Sequence, residues 1–221
     1  MSTTKTPITE LALPIFKDDA ETISTVQTHG PEIYGHLAGV PGVQFIAYGF
    51  VIYDEGKKVE SSNRGVLLIG THTVTFDYEW DDPSSFAEIY PNSPKFVEFI
   101  ESVKRFLAEP PSPKLHVNVT SPVGAGSAEV TQIVKVKEGL DTEEIWGRLG
   151  EHLGGKGNAL ALASSKGTEG EEGLFLGLIG WDSVERYEES KNDEALLSLL
   201  EQLGAQGKEL DLVAQLQTIA V

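Results

Sequence analysis

The segment LFLGLIGWDSVERY, Leu174–Tyr187, is an apolar run of strand length that ends on Trp181-Asp182 and reaches an aromatic, Tyr187, after four more residues. The same pattern stands earlier in the chain, where Trp80-Asp81 is followed after four residues by Phe86. Both anchors are 101 residues apart, from 80 to 181 and from 86 to 187. A second match lies upstream of each: His36-Leu37-Ala38-Gly39 and His152-Leu153-Gly154-Gly155, 116 residues apart, each after a helical stretch and before an apolar run. The two spacings differ by 15 residues, so the first copy carries an insertion, which fits the polar, turn-like stretch from Tyr53 to Gly65. Two matches in the same order indicate an internal repeat, and a repeat decides the architecture.

Working outward, each copy reads as the same series of elements. Leu11, Leu13 and Ile15 alternate as in a strand. Asp18 and Asp19 can cap a helix carrying Ile23, Val26, Ile33, Tyr34 and Leu37, which Gly30-Pro31 is expected to kink or split. A strand from Val43 to Tyr53 and a return strand from Val66 to about Trp80 form an extended hairpin. Ser93-Pro94 then starts a helix whose Phe96, Phe99, Ile100, Val103 and Phe106 share one face, before a last strand at Leu115, Val117 and Val119. In the second copy, a strand runs from Glu129 to Val136. Asp141 and Glu144 resemble a capping box for the next helix. A hairpin of Asn158–Ser164 with Leu174–Trp181, a helix after Asn192-Asp193 and a strand from Leu210 to Ile219 complete it. Residues 1–120 are therefore read as the first module, 121–127, with Pro122, Gly124 and Gly126, as a linker, and 128–221 as the second.

The series βαββαβ is the ferredoxin-like pattern, an antiparallel sheet with helices on one face. Its other face is too apolar for water, and two copies can cover each other. The fold class is thus α+β: two tandem ferredoxin-like modules forming an intramolecular dimeric α/β barrel. This layout, and above all the segment Leu174–Tyr187, resembles the dimeric α/β-barrel superfamily, which includes antibiotic-biosynthesis monooxygenase (ABM), EthD and stress-responsive barrel domains. The resemblance spans about Thr9 to Ile219 and is of a tandem, fungal type. It implies a pocket for an aromatic, quinone-like or polyketide-like small molecule, and cofactor-independent monooxygenase or cyclase chemistry. A non-catalytic ligand-binding or stress-response barrel is the alternative it leaves open, because fold does not settle function.

Composition narrows the field. Acidic residues outnumber basic ones 34 to 17, for a formal charge of −17. Such a surface repels phosphate backbones and anionic lipid, so neither nucleic acid nor a membrane is an expected partner. The absence of cysteine removes disulfides, thiolate nucleophiles, Cys-based zinc sites and iron–sulfur clusters. No window has the roughly 20 apolar residues of a membrane helix, and Met1 to Thr6 is polar, so a soluble cytoplasmic chain is expected. No metal ligand set, G-x-S-x-G or dinucleotide fingerprint is present, and no cofactor is expected. Haem would need a histidine in the second module, as in chlorite-dismutase-like relatives. The one histidine there, His152, belongs to the repeated helix end.

Where the copies match, scaffold is the natural reading; where they differ, function is. His36 and His152 match. His72 and His116 do not, and they are the candidate acid–base residues, since only histidine titrates near neutrality unperturbed. Tyr34, Tyr48 and Tyr78 lack counterparts and are candidate substrate-binding residues, with an apolar ring and a polar tip. A homodimer through the outer surface is left open.

Overall fold

The computed structural model describes residues 7–40, 42–60, 62–71, 92–157, 159–168 and 170–221. The first module contains β1 (Ile8–Ala12), α1 (Ala20–Gly35), a 3₁₀ turn (His36–Gly39), β2 (Val43–Asp54), the two-residue β3 (Lys57–Lys58) and β4 (Gly65–Thr71). It continues with α2 (Pro94–Val103), a 3₁₀ turn (Lys104–Phe106) and β5 (Lys114–Asn118). After a short α3 (Val123–Gly126), the second module has β6 (Val130–Lys137), α4 (Thr142–Lys156), β7 (Ala161–Gly167) and β8 (Leu174–Trp181). It ends with α5 (Val184–Ser190), α6 (Glu194–Gly204) and β9 (Lys208–Ile219).

The strands form one antiparallel sheet, ordered β3-β2-β4-β1-β5-β7-β8-β6-β9, and β2 also pairs with β9. That last pairing closes an eight-stranded barrel with β3 outside it, so the modules share two seams, β5–β7 and β2–β9. Closure removes the open edges that a four-stranded module would expose. It also buries both sheet faces. The interior face holds Leu11, Phe45, Leu68, Ile133, Leu176 and Leu212 among others. The outer face carries one core under α1 and α2 and another under α4 and α6.

The seams test the repeat. Gly49 faces Leu216 in one and Ser165 faces Asn118 in the other. Gly49 and Ser165 are thus equivalent, and their spacing of 116 residues is the one that separates His36 from His152. In the first strands Glu10 faces Ile69 as Gln132 faces Ile179. The third strands therefore align Thr71 with Trp181, a spacing of 110 residues instead of the 101 of the Trp-Asp pairs. Trp80 and Phe86 lie outside the described residues.

The seam at β2–β9 is tight. A Cβ built on Gly49 would stand 1.8 Å from the carbonyl oxygen of Gln215, a backbone atom that cannot swing aside. Gly49→Ala should therefore loosen the join and cost about 2 kcal/mol of stability, read from the urea midpoint. An unchanged midpoint would show that the strands separate there freely.

Local expectations are met in part. Ser93 caps α2 by accepting from the Phe96 N–H, and Pro94 occupies the first turn. Asp193 caps α6 in the same way through the Leu196 N–H. Three expectations change. The first helix is continuous through Pro31, because residue 27, whose carbonyl loses its partner, is exposed to water. Asp141 makes no capping bond; the Thr142 hydroxyl accepts from the Gly139 N–H instead. The expected linker is packed structure. α3 buries Ala125 and Gly126 against the barrel-interior core, and the Thr131 hydroxyl donates to the Ala125 carbonyl at 2.8 Å.

Candidate functional site

In the first module a cavity of about 410 Å³ opens between the outer sheet face and α2. Glu10 and Ala12 of β1 and Leu67 of β4 form its floor. Tyr34 of α1 and the apolar stripe of α2, Phe96, Phe99, Ile100 and Val103, form its walls. The Pro-rich segment from Leu107 to Pro113 borders it. The stripe that the sequence marks as one helix face thus lines the cavity and caps the core beneath.

Glu10 is the group the sequence reading missed. It sits mid-strand between Ile69 and Leu115 and is 5% exposed. Its Oε2 has no hydrogen-bond partner among the described residues. Burial pushes its carboxyl from the ordinary 4.5 up to about 7, because the charged form is stripped of water and gains no compensating partner. A carboxyl poised near neutrality in an apolar cavity is the setting of a general base. Tyr34 also lines the cavity; burial, and then the neighbouring Tyr48, push its pKa up, so this phenol stays protonated. The signal was present in the alternation of β1. Taking Leu11 as the buried parity assigns Glu10 to water, whereas barrel closure buries the one face and the helices cover the other.

The second module shows what this arrangement replaces. Register equates Glu10 with Gln132, whose amide donates to Asp211 at 2.9 Å. It equates Leu67 with Gly177, and there the Trp146 ring takes the space: a Cβ on Gly177 would lie 2.4 Å from it. One module holds a carboxyl in a cavity; the other holds a paired amide beside an indole.

Of the residues chosen from sequence, Tyr34 lines the cavity. Tyr48 stacks behind it at 4.3 Å between ring centroids, and its hydroxyl donates to Gln217 Oε1 at 2.9 Å. His116 does not join them. It faces Thr9 and Gly167 across the sheet, on the barrel-interior side opposite Glu10. There it is fully buried, with neither ring nitrogen partnered among the described residues. Burial drives its pKa down to about 4, partly opposed by Glu171 and aided by Lys135 and Lys114. The odd and even positions of β5 serve different cores, which puts His116 across the sheet from the cavity. His72 and Tyr78 lie outside the described residues.

The matched histidines act as scaffold. His36 Nδ1 lies 3.6 Å from Glu98 of α2, and His152 Nε2 lies 2.8 Å from Asp193 at the start of α6. Each ties the first helix of its module to the last. His152 is thus tied to α6 within the helical layer of the second module. Among the described residues no group of three or more His, Cys, Asp or Glu side chains could hold a metal ion, and no helix is long and apolar enough to cross a membrane.

No protein-family model matches the sequence, and no curated protein matches it either. Solved structures do match over nearly the whole chain. An anthrone oxidase-like protein has a TM-score of 0.61 at 15% identity, covering 99% of this chain and 95% of its own. A proposed monooxygenase from Lactobacillus acidophilus has a TM-score of 0.60 at 10% identity, covering 98% and 97%. A proposed chlorite dismutase has a TM-score of 0.54 at 11% identity, covering 96% and 95%. These likenesses are of fold: a closed antiparallel barrel wrapped in helices, with both ferredoxin-like halves in one chain.

Proposed function

We propose that the first module binds an uncharged aromatic or polyketide-like molecule and that Glu10 deprotonates it, as a cofactor-independent monooxygenase. The observation that carries this reading is the Glu10 carboxyl, held near neutrality on the floor of an apolar cavity. The walls suit a flat apolar ligand, and Tyr34 offers a phenol that remains a hydrogen-bond donor. The likeness to an anthrone oxidase-like protein supplies the probe. With anthrone, the Glu10 carboxylate removes the C10 proton. The carbanion then passes its electrons to dioxygen, and the resulting hydroperoxide loses water. Anthrone and dioxygen give anthraquinone and water, and Glu10 is regenerated when its proton leaves with the peroxide oxygen.

The test is oxygen uptake and anthraquinone formation from anthrone, corrected for the uncatalysed reaction. kcat/KM should fall about tenfold per pH unit below about 7 and level off above it, as the carboxylate becomes available. A wild-type rate no greater than buffer alone, with anthraquinone still bound, would return the chain to the non-catalytic ligand-binding reading.

A further inference from the structure

The cavity belongs to the first module, but the contact behind it comes from the second. Gly30 and Tyr34 are one turn apart on the same face of α1. The Tyr48 ring lies across both, stacked on Tyr34 at an interplanar angle of 26°, and so close to Gly30 that a Cβ there would stand 2.3 Å from it. Its hydroxyl, which also lies against Gly30, donates to Gln217, directly opposite Tyr48 on β9 across the β2–β9 seam. The other seam has no such interlock: the positions equivalent to Tyr48 and Gln217 are Ser164 and Val119. The device occurs only on the side that carries the cavity.

We propose that Gln217 of the second module is a positioning residue for the first module's site, fixing Tyr48 so that Tyr48 holds Tyr34 at the cavity wall. The second module, whose own equivalent space is filled by Trp146, then works as the support of its twin. The idea rests on the proposed function only in taking this cavity as the site. A phenol whose hydroxyl end is held between a helix backbone and an amide has one orientation, and a ring stacked on it inherits that order.

The test places 3-fluorotyrosine at position 34 and records its fluorine spectrum in ligand-free protein. Gln217→Leu and Tyr48→Phe should each shift or broaden the signal. The double variant should do no more than either alone, since both remove one bond. Gln217→Glu, which keeps an acceptor oxygen, should restore the wild-type signal. With anthrone, Gln217→Leu should raise KM three- to tenfold and leave kcat within twofold. A wild-type fluorine signal in Gln217→Leu, or additive effects in the double variant, overturns the proposal. A mere shift in the urea midpoint with Tyr34 and KM unmoved does the same. If anthrone is not oxidised at all, the proposed function falls, while the fluorine spectra still decide the role of Gln217.

Discussion

Glu10→Gln is expected to lower kcat by about 10²–10⁴-fold and yet to make the protein more stable at pH 8. The first effect follows if the carboxylate takes the substrate proton, since an amide of the same shape cannot. The second follows from the cost of holding a buried charge. The folded-state pKa is raised to about 7 and the unfolded value is 4.5, so the unfolded chain ionises first as pH rises. Wild-type stability therefore declines from about pH 4.5 to 7 through this group, by up to about 3 kcal/mol. Glu10→Gln escapes that decline, so its urea midpoint should match wild type near pH 4.5 and exceed it at pH 8. The second module already carries this solution at Gln132. A variant equally destabilised at both pH values would show that Glu10 is not held desolvated, and the general-base reading would go with it.

His116→Leu should act with the opposite sign. The folded pKa of His116 is lowered to about 4 against 6.5 unfolded, so its contribution is intact above 6.5 and is lost as pH falls toward 4. That loss amounts to up to about 3 kcal/mol. The charged groups that act on it are Glu171 on the β7–β8 hairpin, Lys135 on β6 and Lys114 on β5 itself, and its sheet neighbours are Thr9 and Gly167. Leucine has a similar volume and no nitrogen to leave unpaired, so the variant should keep its stability as the medium is acidified. Over pH 4.5–6.5 the Glu10 and His116 effects oppose each other. The wild-type profile should be flatter than either variant's, with Glu10→Gln weakening toward acid and His116→Leu weakening toward neutrality. Urea midpoints taken every half pH unit read this directly. Parallel profiles for all three proteins would refute the assignment of either group.

Much of the fold was legible from local pattern. The α2 stripe, the Ser93 and Asp193 caps and the helix-end histidines follow from spacing alone, because helical periodicity and capping are local physics. Other features depended on partners distant in the chain. Pro31 stays inside α1, where the residue whose carbonyl it deprives lies on the exposed face of the helix. Gly124 and Gly126 read as a linker, yet the barrel-interior core draws that segment into contact: a Cβ on Gly126 would stand 2.7 Å from the Phe45 ring.

The site divides in the same way. Comparing the two copies pointed to Tyr34 and Tyr48, since asymmetry between repeats is visible in sequence, but it passed over the Glu10–Gln132 difference because an acidic residue beside Leu11 looks solvated. By itself the sequence determined the βαββαβ repeat, its pairing into a barrel and the residues that distinguish the halves. Only the tertiary structure decided which strand parity meets which core. Alternation defines two faces of a strand without saying what covers either, and a closed barrel wrapped in helices buries both. That is why Glu10 stands in the cavity, His116 on the other side of the sheet, and Gln217 of the second module behind the site of the first.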